Sequence, residues 1–365
     1  MSLSLGLVGL PNAGKSTLFN ALTRAGAPVA SYPFTTIDPN VGMVTVPDKR
    51  LDRIAQIVRP ERVVYTAIEF IDIAGLVKGA SHGEGLGNQF LGHIRNVDAV
   101  VMVVRCFANP DVPHIYGRVD PLRDIEVLDT ELCLADLAAV ERRLEKVKPP
   151  ARAGDREAQA ELRVLERVQA DLNAGRPVRW QGLSPDETAH LAAVALVSAR
   201  PVLYVANVGE DTRRDDPAAM AVEEYARAHG AEAVRVCAQL EMELTELDAA
   251  EAAEYRADLL GEHEGGLERV IAASYRLLDL VTFFTATGEK VCRAWTIRRG
   301  TKAPQAAGQV HTDMERGFIR AEVVAFADLD AAGSFAALRE RGLLRLEGRD
   351  YIVQDGDVIH FRFAT

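Results

Sequence analysis

Eight residues near the N-terminus constrain this chain more than any others. Gly9-Leu10-Pro11-Asn12-Ala13-Gly14-Lys15-Ser16 follows a short apolar run at 5–8 and leads directly into a stretch of helical character at 16–23. Glycines at the first and sixth positions let backbone N–H groups turn inward, and the dipole of the following helix adds to them, which makes a cradle for phosphate. A lysine beside the cradle neutralises β- and γ-phosphate charge, and the hydroxyl after it suits a magnesium ion. The flanking strand and helix separate such a loop from an accidental match. The chain is therefore expected to hold a nucleotide's phosphates on Asn12, Ala13, Gly14, Lys15, Ser16 and Thr17, with Lys15 also acting on the transferred phosphate.

Apolar runs at 5–8, 41–46, 66–71 and 99–104 alternate with glycine turns and helical stretches, the signature of a parallel α/β sheet. Two further runs, at 202–206 and 233–236, come much later, so the sheet is interrupted. The segment at about 121–199 is charged and helical. Leu137, Val140, Leu144 and Val147 share one face, and after Pro149-Pro150 so do Leu162, Leu165, Val168 and Leu172. This spacing predicts two amphipathic helices broken at the prolines and folded into an antiparallel hairpin arm. A pair of ordinary surface helices on the domain is the other arrangement the pattern permits. Ser184-Pro185-Asp186-Glu187 combines an N-cap, a proline at the first helical position and a capping-box carboxylate, which predicts a third helix. Beyond residue 280, predicted strands at 281–285, 290–296, 321–325 and 357–363 surround one helix at 334–341. The 365 residues exceed what one core usually holds. The expected division is a nucleotide domain at 1–279 carrying the arm, followed by an α+β domain at 280–365.

The formal net charge is −11, so bulk electrostatics do not favour nucleic acid and any such contact must be local. No stretch reaches the roughly 18–20 apolar residues a membrane span needs. The N-terminus lacks a basic region and a cleavage site. Cys106, Cys133, Cys237 and Cys292 are scattered without paired spacing, as expected of reduced thiols. These features point to a cytoplasmic chain that engages neither membrane nor DNA, and a monomer is expected.

Two more segments bear on the phosphate site. Asp72-Ile73-Ala74-Gly75 ends an apolar run, the position from which an aspartate reaches the metal and a glycine N–H meets the γ-phosphate. Tyr32-Pro33-Phe34-Thr35-Thr36 is a loop whose threonine, Thr36 in preference to Thr35, completes the metal shell when the γ-phosphate is present. The expected metal set is thus Ser16, Thr36 and Asp72. Phosphotransfer kinases also use such a loop, but these two switch elements argue against one.

Together these elements resemble the Obg-related branch of the translation-factor-like P-loop GTPases. Its phosphate loop, Y-P-F-T-T segment and D-x-x-G-L-x-x-G-A run match at 9–16, 32–36 and 72–80, and Gly83-Glu84-Gly85-Leu86-Gly87-Asn88-Gln89-Phe90-Leu91 extends the match. The helical insertion and C-terminal region are similar to those of the YchF group of Obg-like ATPases, so the resemblance covers essentially the whole chain. It implies an α/β P-loop NTPase domain of G-protein type with a parallel-type sheet, an inserted helical hairpin and a TGS-like β-grasp domain.

The base-reading element departs from the guanine pattern. N-K-x-D places an aspartate against two guanine donors that adenine lacks, whereas this chain has Asn207-Val208-Gly209-Glu210. Valine removes the lysine stem and charge, and the extra methylene of Glu210 displaces the acceptor pair, so guanine selectivity is lost. The YchF resemblance implies ATP, with GTP weaker, held by Asn207, Val208 and Glu210. Asp211 reading guanine one residue along stays open. The usual S-A-K segment is likewise changed, to Cys237-Ala238-Gln239.

Leu76 stands where related enzymes carry a water-orienting glutamine. His82 and His93 are the local replacements, His82 preferred because its surroundings are glycine-rich, although a solvated histidine explains it as well. Catalysis is accordingly assigned to Lys15, Gly75 and His82. By resemblance to potassium-dependent relatives, Asn12 holds K⁺ against the phosphates. Hydrolysis with Mg²⁺ is expected to be slow. Arg293, Arg298, Arg299, Lys302, Arg316 and Arg320, with Trp295, form a basic cluster that a solvated face explains equally. The family resemblance turns it toward the ribosome or ribosomal RNA. An ATP-driven switch, a GTP-driven switch and a nucleotide-gated binder with incidental hydrolysis are the three readings carried forward.

Overall fold

The computed structural model describes residues 3–25, 40–73, 86–210, 215–248, 251–252, 265–287 and 290–364. The chain divides into two units, Met1–Met43 with Glu69–Ser274 and Val44–Ile68 with Tyr275–Thr365. Elements are numbered along the whole chain.

The first unit is built on a six-stranded sheet of order β2-β4-β1-β5-β6-β7. Its strands are β1 (Ser4–Val8), β2 (Val41–Thr45), β4 (Ala67–Asp72), β5 (Ala99–Arg105), β6 (Val202–Asn207) and β7 (Glu232–Val236). Every residue of β1, β5 and β6 is buried. Continuous apolar runs of this kind are what a parallel sheet covered on both faces demands. β4 and β5 pair in parallel with β1 on either side, and β6 and β7 continue outward in the same direction. The connections out of β1, β4, β5 and β6 therefore leave the sheet at one edge, where ligands of open α/β sheets bind. Helices α1 (Lys15–Ala25), α3 (Leu86–Arg95), α7 (Pro217–Ala228), α8 (Ala238–Leu244) and α9 (Gly266–Leu277) complete the alternation.

Helices α4 (Pro121–Arg152) and α5 (Arg156–Asn173) form the insertion. The first half of α4 belongs to the sheet core, where Ile125, Leu128 and Leu132 join Val100, Met102 and Tyr204. Its second half belongs to a separate cluster, in which Val140, Leu144 and Val147 meet Leu165, Val168 and Leu172. Arg143 spans the pair with two bonds to Glu161, at 2.6 and 2.9 Å. The apolar spacing thus gives the hairpin arm, but the prolines do not break it. α4 runs through Pro149 and Pro150, both exposed, to Arg152. Proline removes one N–H and crowds the preceding turn, and so close to the helix end that cost is confined while Val147 and Ala151 stay buried. The turn comes at Gly154, with φ 95°. Asp155 then caps α5 by accepting from the N–H groups of Glu157 and Ala158, at 2.9 and 3.1 Å. The capping box at Ser184 and Glu187 forms as the sequence predicts, on the short helix α6 (Pro185–His190). Asp136 of α4 accepts from the N–H groups of Val197 and Ser198, both at 2.8 Å, and so fixes the return of the chain to β6.

The second unit corrects the expected boundary at 279/280, because it also contains residues 44–68. Its sheet has the order β11-β10-β12-β8-β9-β3. The strands are β3 (Arg62–Val64), β8 (Leu280–Thr287), β9 (Val291–Arg298), β10 (Phe318–Ala325), β11 (Arg345–Glu347) and β12 (Asp357–Phe363). β3 pairs in parallel with β9 and satisfies its outer edge. Helix α2 (Lys49–Val58) contributes Leu51 and Ile54 to a core around Phe284, with Leu329 and Leu338 of α12 (Phe326–Ala332) and α13 (Phe335–Glu340). Phe283, Ala321 and Phe361 on the opposite face meet Ala303, Ala306 and Ala307 of α10 (Ala303–Val310), and α11 (Thr312–Arg316) adds Met314. The sequence predicts one helix here; four form after residue 300, since short helices carry too few turns for a clear apolar period. Among the described residues no helix is long and apolar enough to cross a membrane.

Candidate functional site

The phosphate loop leaves β1 and closes against its neighbours. A Cβ on Gly9 would stand 2.7 Å from the carbonyl oxygen of Val103, so the loop passes β5 at a distance only glycine allows. Gly14 has φ 86°, and a Cβ there would lie 2.1 Å from Asn207 Nδ2. That contact reflects a bond: Asn207 Nδ2 donates to the Ala13 carbonyl at 2.8 Å. Asn207 Oδ1 accepts from the N–H of Ala238 at 3.0 Å. One buried amide therefore joins the phosphate loop, the end of β6 and the Cys237-Ala238-Gln239 segment. Asn12, at φ 63°, donates from Nδ2 to the Pro113 carbonyl at 3.0 Å.

Lys15 begins α1 and is 8% exposed. Its ammonium is ion-paired with Asp72 at the end of β4, and Ser16 Oγ donates to the other oxygen of that carboxylate at 2.9 Å. Lysine, hydroxyl and carboxylate thus converge from two different strand ends. Ser16 and Asp72 offer hard oxygen donors of the kind magnesium takes, and this ion characteristically leaves most of its shell to water and phosphate. Among the described residues no group of three or more His, Cys, Asp or Glu could hold a metal by itself.

A cleft of about 1230 Å³ is lined by residues 10–17, by Asn207, Val208, Gly209 and Glu210, and by Cys237, Ala238 and Gln239. Val208 is half-buried and Glu210 exposed. The phosphate-binding and base-reading candidates therefore share one cavity. The connection from β5 to α4 supplies another wall, through Phe107, Asn109 and Val112, which the sequence reading missed. A signal was present, since Arg105 is a charged residue ending an otherwise apolar buried strand. Thr36, Gly75, Leu76, His82 and Asp211 lie outside the described residues. His93 is exposed in the last turn of α3.

Known proteins resemble this chain along its whole length. A family described as "50S ribosome-binding GTPase" matches residues 4–153. The C-terminal family of YchF GTPases, described as a protein of unknown function, matches residues 280–364. The ribosome-binding ATPase YchF of Haemophilus influenzae is 51% identical over 363 residues, spanning 100% of this chain and 99% of its own. The chain belongs to the YchF family. A second YchF protein, the ribosome-binding ATPase of Bacillus subtilis, is 50% identical over 366 residues and spans 100% of both chains. The solved structure of the Schizosaccharomyces pombe YchF GTPase superposes with a TM-score of 0.88 at 36% identity, covering 99% of this chain and 98% of that one.

Proposed function

We propose that this chain is a slow ATP-hydrolysing switch that associates with the ribosome in a nucleotide-dependent way. The observation that carries the choice of base is the end of β6, where Asn207-Val208-Gly209-Glu210 lines the same cleft as the phosphate loop. Asn207 spends its amide on Ala13 and Ala238, so it shapes the pocket, while Val208 and Glu210 replace the residues that read guanine. The relatives named ribosome-binding ATPase support both the nucleotide and the partner.

In this reading Lys15 exchanges its Asp72 partner for phosphate oxygens. Asp72 and Ser16 would hold Mg²⁺, with Thr36 completing the protein's share. Bound there, the ion would supply positive charge to the phosphates. The backbone N–H groups at 12–17 and Gly75 orient the triphosphate, and His82 is assigned to the attacking water because Leu76 cannot hydrogen-bond it. Asn12 already donates its side-chain nitrogen to Pro113, and its side-chain oxygen Oδ1 is assigned to K⁺. The protein works as a cytoplasmic monomer. Calorimetry of the wild type and Glu210→Asp with magnesium-ATP and magnesium-GTP tests the base assignment: ATP should bind more tightly to the wild type, and equal or tighter GTP binding would overturn it. Ribosome cosedimentation with ATP, with Lys15→Ala as control, tests the partner.

A further inference from the structure

Arg105 is 2% exposed at the end of β5. A charge so deeply buried is normally paired with an opposite charge. The Asp124 carboxylate is near enough to favour the charge, but the hydrogen bonds of the guanidinium go to three backbone carbonyls. Nε donates to Phe107 at 3.1 Å, Nη2 to Val112 at 2.6 Å and Nη1 to Asn12 at 3.3 Å. Two of these acceptors lie in the cleft wall and the third in the phosphate loop, on the residue with φ 63°. The same two segments are joined again by the bond from Asn12 Nδ2 to the Pro113 carbonyl. The guanidinium also lies 4.5 Å from the centre of the Phe107 ring.

The far end of this wall is anchored as well. Buried His114 accepts at Nδ1 from the N–H of Tyr116 at 3.1 Å, which leaves the proton on Nε2 facing Asp124 Oδ2 at 2.8 Å. On the other side, Arg105 is in register with Asn207, the second residue that reaches the phosphate loop. Two neighbouring strand ends therefore each send one side chain to that loop.

We propose that Arg105 is a positioning residue for nucleotide turnover, fixing the phosphate loop at Asn12 and the cleft wall at 107–112 as one preformed unit. A nucleotide that engages either segment then meets the other already in place, and affinity is gained by ordering the site beforehand. Arginine is required because its planar fork reaches three separate acceptors, whereas the lysine ammonium is a single compact head on a flexible stem. The inference rests on reading the cleft as the nucleotide site.

The test compares Arg105→Ala, Arg105→Lys, Lys15→Ala and the wild type in magnesium-ATP turnover and calorimetric binding, with thermal unfolding of the ligand-free chains recorded alongside. Losing a charge-assisted bond to the phosphate loop should raise KM and Kd for ATP roughly tenfold or more. The kcat should fall less than KM rises, and Arg105→Lys should stay at least fivefold above the wild-type KM by the same reasoning from donor geometry, about one lost hydrogen bond. A purely structural role would lower the unfolding temperature and leave KM within twofold. That result in either folded variant overturns the proposal, as does full recovery by lysine. If Arg105→Ala does not fold, Arg105→Lys decides by the same criterion. If the wild type neither binds nor hydrolyses ATP, or Lys15→Ala binds it equally well, the nucleotide-site reading fails and takes this inference with it.

Discussion

Asn207→Ala is the substitution whose effect follows most directly from the geometry. It deletes a donor 2.8 Å from the Ala13 carbonyl and an acceptor 3.0 Å from the Ala238 N–H, both bonds buried. An unpaired buried polar group costs about 1–3 kcal/mol, so two of them set the loss at about 2–6 kcal/mol. Water entering from the neighbouring cleft recovers part of this, which brings the expectation to about 3 kcal/mol. For a domain of this size that is a fall of roughly 6–12 °C in unfolding temperature. ATP affinity should drop at least about tenfold as well, because the phosphate loop loses its tie to β6. Differential scanning calorimetry with and without magnesium-ATP reads both quantities. Asn207→Asp keeps the acceptor but sets a carboxylate oxygen against the Ala13 carbonyl, and should be no more stable than the alanine variant at neutral pH. A loss below about 1 kcal/mol together with unchanged ATP affinity would refute the reasoning.

Gly14→Ala should abolish measurable ATP binding in calorimetry, since the new Cβ would stand 2.1 Å from Asn207 Nδ2 at a residue with φ 86°. Leu165→Ala, at a fully buried arm position, should cost about 2–5 kcal/mol. Hydrogen exchange should locate that loss in α4 and α5, with ATP KM left within twofold. Burial pushes the Cys133 thiol up to about 12 and the Cys292 thiol up to about 11. Both therefore stay protonated at pH 8, and iodoacetamide followed by mass spectrometry should label them only after unfolding.

What was legible in the sequence was whatever depends on local pattern. The runs that became β1, β5 and β6 are unbroken apolar segments because both faces of a central parallel strand are covered. The arm showed through Val140, Leu144, Leu165 and Val168, whose spacing matches the helical period. The capping box at Ser184 is likewise a short-range device. Pro149 and Pro150 misled because the burial of Val147 and Ala151 offsets what proline costs the preceding turn, and only the fold places Gly154 and Asp155 as the actual stop. The segment at 44–68 misled because nothing in its own residues says which sheet edge it will satisfy. β3 joins β9, more than two hundred residues later in the chain, through backbone bonds that carry no sequence signature.

The same division runs through the site. The sequence by itself determined the phosphate loop, since glycines at fixed offsets, a lysine and a hydroxyl are needed wherever backbone must curl around phosphate. It also determined the departure from N-K-x-D, which is a matter of residue identity. Only the tertiary structure decided that Asn207 binds Ala13 and Ala238 across the loop, that Lys15 and Asp72 meet, and that Arg105 reaches Asn12 and Val112. All but the bond from Arg105 to Val112 join residues that follow different strands at one edge of the sheet. Parallel strand order sets which ends are neighbours, and that order comes from packing the whole sheet rather than from any local run.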